Sequence, residues 1–464
     1  MKHIYKTLFV GLIIFLIKNG STAQSISTPD ISLDEIIINL PSPPWGMQFI
    51  SSQEVIFTEK SGKLWRCNIS SKTRTEITGV PAISQNGQGG LLDVSIHPDF
   101  SSNSFVYLSY AIDAQGGQTT AIGRGKLVGN KLENFTELFR ALPVVNSGTH
   151  FGSRIAFDKD KFLYFSVGDR GNQDNAQNTN NHAGKVMRIN ADGTVPNDNP
   201  LVGKPNTRPE IFCWGNRNIQ GMVMNPANGL IYAHEHGPRG GDEYNLIKKG
   251  INYGWPLITF GLNYNGTIVS EDTARDGLEQ PLTYWVPSIA PCGLTFLTQS
   301  TKGDEAEVLI GALAGTHIHW LRLKNNKVVR SARFMNGYAR FRDVEQAPDG
   351  SVYALTETPN RLIKLKMSNI TSSAESQSSD SFFAQIFPNP SSDIASLSYS
   401  LNKTEKIIIK ILAIDGSTQK ILLDELVGAG NHELDLSQNQ LPQGIYQIEI
   451  QKEGFKKILK WIKM

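Results

Sequence analysis

The stretch Leu230-Ile-Tyr-Ala-His-Glu-His-Gly-Pro-Arg-Gly-Gly-Asp-Glu243 joins a short apolar run to a polar segment rich in glycine. The run from Leu230 to Ala233 predicts a strand, because short stretches of β-branched, aromatic and aliphatic residues are typical of buried strands. Glycine and proline then stop that strand. An apolar strand that ends in a polar break is the unit from which we predict the fold.

The same unit occurs six times along the chain. The runs are Val55-Ile-Phe57, Val106-Tyr-Leu108, Leu163-Tyr-Phe165, Ile231-Tyr-Ala233, Val308-Leu-Ile310 and Val352-Tyr-Ala354. Their first residues are 51, 57, 68, 77 and 44 positions apart. These intervals suit propeller blades of four strands with variable loops. The sequence therefore predicts a six-bladed β-propeller, in which equivalent strand ends meet at one end of a central channel.

Composition agrees with an all-β protein. The chain has 464 residues, of which 39% are hydrophobic, and a formal net charge of +2. This length is ample for more than one domain, and the small net charge argues against nucleic acid as the main partner. Glycine (42) and proline (22) punctuate the short strands. An odd number of cysteines argues against a disulfide framework; they are Cys67, Cys213 and Cys292.

The N-terminus has the pattern of a signal peptide. Lys2 and Lys6 precede an apolar run over residues 8–17, and Ser21-Thr-Ala23 supplies small residues for cleavage. The run is too short to span a bilayer comfortably. We predict that residues 1–23 are removed, that the mature protein is exported, and that it has no integral membrane segment.

A change of composition after Met367 divides the mature chain. Residues 31–367 are the predicted propeller, and the serine-rich residues 368–382 predict a linker. Residues 383–464 predict a small β-sandwich, because hydrophobic residues alternate in Ile407-Ile-Ile-Lys-Ile-Leu412 and in Gly444-Ile-Tyr-Gln-Ile-Glu-Ile450.

Four further stretches carry residue types that suit a functional site. They are Gln85-Asn-Gly-Gln-Gly-Gly-Leu-Leu-Asp93, His150-Phe-Gly-Ser-Arg154, Trp214-Gly-Asn-Arg-Asn-Ile-Gln-Gly221 and Tyr338-Ala-Arg-Phe-Arg-Asp343. With the opening stretch they offer a base, oxygen ligands for a hard cation such as calcium, and arginines for an anion. Each stretch alone has a plainer interpretation, as a polar turn or a solvated strand face.

Taken together and in order, these motifs resemble the soluble PQQ-dependent glucose/sorbosone dehydrogenases, especially their aldose sugar dehydrogenase branch (PQQ is pyrroloquinoline quinone). The resemblance also rests on Gly168-Asp-Arg170, Asn252-Tyr-Gly-Trp-Pro256 and Arg340-Phe-Arg-Asp-Val344, and it covers about residues 31–366. It implies a six-bladed propeller with PQQ and calcium at one end of the channel.

The resemblance also implies a role for each matching residue. His150 would be the general base and Asp169 its supporting carboxylate. Gly237 and Pro238 would offer carbonyls to the calcium that also holds PQQ, while Glu243 and the Tyr253 carbonyl would bind a second, structural calcium. The residues implied to contact PQQ are Gln88, Arg217, Asn218, His236, Ser288, Ala290, Arg340 and Arg342.

The implied reaction is oxidation of an aldose at its anomeric carbon to a lactone, with electrons passed to an external quinone, cytochrome or dye. One position departs from the family, in which a Gly-x-Leu-Lys segment is common, since this chain reads Gly311-Ala-Leu-Ala314. The family also contains propellers that hold no PQQ. An exported, PQQ-free propeller that binds a protein or carbohydrate is therefore the alternative, although it has no need of His150 or the arginines.

Two histidine pairs at i, i+2 spacing could each share a strand face and bind zinc or copper. For His234 and His236 the resemblance favours packing at the cofactor site. For His317 and His319 we favour a plain strand face over a metal site.

The C-terminal unit resembles the type A sorting domain of type IX secretion in Bacteroidota. The similar segments are Phe387-Pro-Asn-Pro390, Leu441-Pro-Gln-Gly-Ile-Tyr446 and Lys456-Lys-Ile-Leu-Lys-Trp-Ile-Lys463. This implies contact with the type IX machinery, transit through the periplasm, and release or attachment at the cell surface. An ordinary fibronectin-like accessory domain is the alternative.

Overall fold

A computed structural model describes residues 31–367, 384–387, 395–401, 403–413, 415–428, 430–436, 439, 441–453 and 455–463. The predicted signal peptide (residues 1–23), the predicted linker (residues 368–382) and residues 388–390 of the sorting motif lie outside this range.

Residues 31–367 consist mainly of short strands. In chain order these are β1 (Ile31–Ile37), β2 (Pro44–Phe49), β3 (Glu54–Glu59), β4 (Lys63–Asn68), β5 (Thr73–Ile77), β6 (Leu91–Ile96), β7 (Phe105–Ala114), β8 (Gly117–Val128), β9 (Lys131–Arg140), β10 (Ile155–Phe157), β11 (Leu163–Val167), β12 (Lys185–Ile189), β13 (Ile211–Trp214), β14 (Ile219–Met224), β15 (Ile231–Glu235), β16 (Asp242–Leu246), β17 (Thr283–Trp285), β18 (Pro291–Phe296), β19 (Glu305–Ala312), β20 (Ile318–Lys324), β21 (Lys327–Phe334), β22 (Arg340–Gln346), β23 (Val352–Glu357) and β24 (Arg361–Met367). A short helix, α1 (Phe100–Asn103), and two 3-10 turns (Gln173–Gln177 and Thr298–Ser300) lie between strands.

The strands form six antiparallel sheets of four strands each. Blades 1 to 5 are built from consecutive strands, β2–β5, β6–β9, β10–β13, β14–β17 and β18–β21. Blade 6 joins β22, β23 and β24 to the N-terminal strand β1, with Ile31 opposite Met367. The first strands of successive blades contact one another in a closed ring. The predicted six-bladed propeller is confirmed, and its ring is closed by the first strand of the described chain.

Each apolar run predicted from the sequence is the second strand of its blade. Side chains on both faces of these strands are buried because neighbouring blades pack against each other. Between blades 5 and 6, for example, Leu309 and Ile318 pack with Val344 and Ala354. The second strand of blade 4 extends beyond Ala233 to Glu235, because His234 and Glu235 pair with Tyr244 and Glu243 on β16. The polar segment after it is therefore the turn of a hairpin.

The guanidinium of Arg154 contacts the first strand of each of the other five blades. These contacts are the carboxylates of Asp93 (3.1 Å) and Asp343 (3.3 Å), the carbonyls of Gln220 (2.7 Å) and Arg342 (3.1 Å), Cys292 Sγ (3.8 Å) and the ring of Trp45 (4.2 Å). Arg154 is 4% exposed, so its charge depends on these partners. One side chain thereby ties all six blades together at the centre.

The C-terminal unit is a β-sandwich, as predicted. Its strands are β25 (Ala384–Phe387), β26 (Ser396–Leu401), β27 (Glu405–Ala413), β28 (Thr418–Val427), β29 (Gly430–Asp435), β30 (Gly444–Lys452) and β31 (Phe455–Lys463). They form one sheet in the order β25-β26-β29 and another in the order β28-β27-β30-β31. Alternate residues Ile407, Ile409 and Ile411 point into a core shared with Leu397 and Trp461.

The three cysteines are free and buried, which agrees with the sequence-based argument against a disulfide framework. Within the described ranges, we find no helix that is both long and apolar enough to cross a membrane.

Candidate active site

A cavity of about 250 Å³ lies at the end of the channel where the second strands finish and the first strands begin. All six blades contribute to its wall. The lining residues are Trp45, Lys60, Gln88, Leu92, Phe151, Gly152, Asn218, Gln220, His236, Ala290, Leu313, Arg340 and Arg342. Six residues that the sequence analysis assigned to PQQ therefore meet here: Gln88, Asn218, His236, Ala290, Arg340 and Arg342.

His150 and Asp169 form a hydrogen-bonded pair beside this cavity. His150 Nδ1 lies 2.6 Å from Asp169 Oδ1. Burial is the largest single effect and raises the pKa of Asp169, but the hydrogen bond and charge of His150, the Gly171 amide and the Arg217 charge together hold it below its ordinary value. An ionised Asp169 accepts the Nδ1 proton, so Nε2 is the nitrogen that can accept a proton from a substrate. This is the arrangement of a general base held in one tautomer.

Two further contacts keep Asp169 in place. Its Oδ2 accepts a hydrogen bond from Trp255 Nε1 at 3.0 Å, and its Oδ1 accepts one from the Gly171 amide at 2.8 Å. Sequence reasoning assigned no role to Trp255, although the motif from Asn252 to Pro256 contains it. Its indole donor reaches Asp169 from the neighbouring blade, a contact that only the fold creates.

The backbone of His150 is also constrained. Its φ of 52° lies in the left-handed region, which is costly for a residue with a side chain. The His150 amide donates to Gln88 Oε1 at 2.8 Å, and Arg170 stacks on the neighbouring Phe151 ring at 3.6 Å. Arg170 also donates to the Ser147 carbonyl at 2.6 Å. These bonds hold the histidine in a strained but defined position.

Arg340 and Arg342 reach the cavity from the start of β22 and share the carboxylate of Glu357. Arg342 lies 2.6 Å from one carboxylate oxygen and Arg340 lies 3.4 Å from the other. Burial is the largest single effect and raises the pKa of Glu357, but the charges and hydrogen bonds of Arg342 and Arg340 together lower it below its ordinary value. Two guanidinium groups against one carboxylate leave an excess positive charge. Glu357 ends β23, so the rule that polar residues at second-strand ends converge could have identified it.

His234 is buried, His236 is partly exposed to the cavity, and both imidazoles are neutral. Burial lowers the pKa of His236 well below its ordinary value, and it lowers the pKa of His234 to about 3. Their Nε2 atoms lie 2.9 Å from the Pro291 carbonyl and 3.3 Å from the Gly293 carbonyl. Each ring therefore donates to the backbone of β18, and the pair anchors blade 4 to blade 5.

The pair His317 and His319 is buried as well. His319 Nδ1 lies 3.4 Å from His317 Nε2, and Trp285 Nε1 donates to His319 Nε2 at 3.4 Å. His317 Nδ1 lies 2.8 Å from the Gly315 carbonyl. The ring nitrogens are engaged in a hydrogen-bond chain. In the described part of the chain, no group of three or more His, Cys, Asp or Glu side chains is placed to hold a metal ion.

Two residues assigned to PQQ have side chains that are engaged elsewhere. Arg217 donates to the carbonyls of His236 at 3.0 Å and of Gly237 at 2.7 Å. The Ser288 hydroxyl donates to the Asp242 carboxylate, which also accepts the amide of Gly237. Burial raises the pKa of Asp242 to about 6 despite these donors. Arg217 and Asp242 thus shape the turn that presents Gly237 and Pro238.

A pair of buried carboxylates lies behind this turn. Glu235 and Glu243 are opposite each other on β15 and β16. Burial raises the pKa of Glu235 to about 7; burial and the nearby charge of Glu235 raise that of Glu243 well above its ordinary value. The amide oxygens of Asn216 and Asn245, whose Nδ2 atoms donate to these two carboxylates, are buried without a hydrogen-bond partner in the described chain. Sequence reasoning assigned only Glu243.

Comparison with known proteins agrees with this geometry. Residues 41–364 match the family model described as glucose/sorbosone dehydrogenase, and residues 385–464 match a secretion system C-terminal sorting domain. The aldose sugar dehydrogenase YliI of Escherichia coli is 35% identical over 344 residues, covering 72% of this chain and 93% of that relative. Quinoprotein glucose dehydrogenase B of Acinetobacter calcoaceticus is 31% identical over 256 residues, covering 48% of this chain and 52% of that protein.

Among solved structures, one described as a glucose dehydrogenase superposes with a TM-score of 0.69 and 38% identity, covering 73% of this chain and 100% of that one. The matching region is the propeller that carries the cavity. The chain therefore belongs to the glucose/sorbosone dehydrogenase family and carries a C-terminal sorting domain.

Proposed function

We propose that this chain is an exported quinoprotein that oxidises aldose sugars at the anomeric carbon, with PQQ and calcium as cofactors. The observation that carries the proposal is the cavity with an excess of cationic side chains beside the His150–Asp169 pair. Membership of a sugar dehydrogenase family supports it, as does a relative named as a quinoprotein.

The cavity fits a flat tricarboxylate such as PQQ. Guanidinium groups match carboxylates in geometry and charge, and among the described residues Arg340 and Arg342 share one carboxylate partner, Glu357. Trp45, Leu92 and Phe151 supply apolar surface for a ring system. Asn218 and Gln220 supply amide groups that can bond its polar edge.

In the proposed reaction His150 accepts the proton of the anomeric hydroxyl at Nε2. Asp169 stabilises the imidazolium that forms, because its carboxylate is ionised and bonded to Nδ1. A bound PQQ would supply the acceptor for the anomeric hydride, and a bound calcium would supply Lewis acidity beside it. Loss of one proton and one hydride converts the anomeric carbon into the carbonyl of a lactone.

Two places offer oxygen ligands for calcium. At the first, beside the cavity, the Gly237 carbonyl accepts a hydrogen bond from Arg217, so a calcium ion there would use the remaining lone pair or displace the guanidinium. The second is the Glu235–Glu243 pair. The two buried carboxylates are hard ligands for calcium, and so are the amide oxygens of Asn216 and Asn245, which have no hydrogen-bond partner among the described residues. We keep the Tyr253 carbonyl as a further proposed ligand at this second site.

Reconstitution tests the proposed function. Purified protein incubated with PQQ and calcium is expected to bind PQQ, measured by absorbance titration, and to reduce a dye when given an aldose from a panel of sugars. Removal of calcium with a strong chelator should abolish turnover. It should also lower the melting temperature, since a ligand at 100 times its Kd stabilises the native state by about 2.7 kcal/mol.

Magnesium in place of calcium is the matched control, because it prefers a smaller octahedral site. Absence of PQQ binding by the calcium-loaded protein would favour the PQQ-free binding propeller. Unchanged melting temperature and turnover after verified removal of calcium would contradict the proposed role of calcium, but not the proposed role of PQQ.

We further propose that the C-terminal unit directs type IX secretion and transit through the periplasm. Deletion of residues 383–464 is expected to leave the propeller folded, because β1 and β24 close the ring without any strand from the sandwich. The truncated protein should stay active in the periplasm, measured by fractionation and dye-linked assay. Normal appearance of the truncated protein in the medium would contradict the sorting role.

A further inference from the structure

Lys60 is a cavity residue to which the proposed mechanism gives no role. It directly follows β3 and lies in the cavity wall with Trp45 and Gln88. Its amide donates to the Pro43 carbonyl at 3.0 Å, and its carbonyl accepts from the Leu91 amide at 3.3 Å. The backbone of Lys60 is therefore held between blades 1 and 2, which fixes the point from which its half-buried side chain extends.

The ammonium group of Lys60 has N–H donors that are available to a ligand. Lys60 Nζ donates to the Gly87 carbonyl at 2.9 Å, which is its one hydrogen bond within the described ranges. An ammonium has three donors, so two remain for a ligand. Gly87 precedes Gln88, whose side chain holds the His150 amide at 2.8 Å. Lys60 thus lies beside the loop that positions the proposed base.

The charges around the cavity do not balance without an anion. Lys60, Arg340 and Arg342 are three cations, whereas Glu357 is the carboxylate that pairs with the two arginines. His236 adds no charge, because burial keeps its imidazole neutral. Burial and the Arg342 guanidinium lower the pKa of Lys60, and the charge of Glu357 opposes this shift without cancelling it. A half-buried ammonium next to another cation is unfavourable unless a negative group joins them.

Among the described lining residues, blade 5 contributes no cation of its own. Leu313 lines the wall there, and its carbonyl accepts a hydrogen bond from Arg340 at 3.3 Å. The next residue is the exposed Ala314, which has no charge. A ligand with several carboxylates would find cations on blades 1 and 6 and none on this part of blade 5.

We propose that Lys60 binds a carboxylate of the anionic ligand in this cavity, supplying from blade 1 the charge that Ala314 does not supply from blade 5. This inference rests on the proposed function, in which that ligand is PQQ. It assigns Lys60 as a cofactor-binding residue in addition to Arg340 and Arg342.

Titration of the calcium-loaded protein with PQQ tests the assignment, with Kd measured by absorbance and protein fluorescence. Lys60→Met removes the charge and the donor to Gly87, whereas Lys60→Gln removes the charge and keeps a donor. Both variants are expected to weaken PQQ binding by roughly 10- to 100-fold, the effect of losing a hydrogen bond to a charged group. Lys60→Arg keeps the charge and should stay within about threefold of wild type.

Lys63→Met is the control, because Lys63 is exposed, pairs with Glu76 and lies outside the cavity wall. It should leave Kd unchanged. Wild-type affinity in Lys60→Gln would show that Lys60 only anchors the Gly87 loop and would overturn the inference, even if Lys60→Met did not fold. Failure of the wild type to bind PQQ would overturn the proposed function together with this inference, so the two failures are distinguishable.

Discussion

Replacing His150 with alanine is expected to reduce turnover by about two to four orders of magnitude while leaving PQQ binding nearly intact. The imidazole is hydrogen-bonded through Nδ1 to the buried Asp169, and that bond leaves Nε2 available to accept a proton. Alanine removes the acceptor and leaves the cationic wall of the cavity unchanged. Turnover by dye-linked assay and Kd by PQQ titration separate the two effects.

Further variants sharpen this result. Asp169→Asn should retain PQQ but lose much of its turnover, because an amide cannot stabilise the imidazolium as a carboxylate does. His432→Ala, in the sandwich, is the control for the loss of a histidine. Near-normal turnover in His150→Ala would rule out the proposed mechanism.

Replacing Arg154 with methionine is expected to destabilise the propeller by about 3–5 kcal/mol, the cost of leaving buried charges without their partner. Arg154 contacts Asp93 and Asp343 at 3.1 and 3.3 Å and donates to the carbonyls of Gln220 on blade 4 and Arg342 on blade 6. Methionine fills much of the volume and provides no donor. Denaturant unfolding of both proteins gives the difference in free energy of unfolding.

The effect of this substitution should grow with pH. Burial raises the pKa of Asp93 to about 6 and also raises that of Asp343, while the Arg154 charge opposes both shifts. Without Arg154 the folded-state pKa values rise further. When the pKa of a carboxyl group is higher in the folded state than in the unfolded chain, the folded state becomes less stable as the pH rises. The loss begins near the unfolded pKa, about 4, and is complete above the folded pKa. The decrease in the free energy of unfolding caused by Arg154→Met should therefore be larger at pH 8 than at pH 5.

Arg140→Met is the matched control, because Arg140 forms an exposed pair with Glu137. Such surface pairs contribute about 0–1 kcal/mol. If Arg154→Met unfolded at the same denaturant concentration as Arg140→Met at pH 8, the central arginine would not be what ties the blades together.

The fold was predictable because its signal is local and repeated. Each second strand buries both faces between neighbouring blades, so its apolar run appears in the sequence without interruption. The closure of the ring was not predictable in this way. Strand β1 completes a sheet whose other strands begin at Arg340, and no local pattern relates residues that far apart.

The site was predictable in part for the same reason. Polar residues at equivalent strand ends meet at one end of a propeller, and motif order located Gln88, Asn218, His236, Arg340 and Arg342, which all reach the cavity. Lys60 and Glu357 also stand at second-strand ends and could have been found by position. The partnership of Arg217 with the His236 and Gly237 carbonyls could not, because it depends on how a turn folds back across its hairpin.

The sequence by itself determined the repeat, the residue types at the strand ends and the two-part organisation, since these follow from which residues can be buried or exposed locally. Only the tertiary structure decided which charges face each other. Arg154 contacts five other blades, Trp255 donates to Asp169, and Glu235 opposes Glu243. Such contacts depend on distances of a few ångströms between side chains far apart in the chain, and electrostatic energy in a buried site varies steeply with those distances.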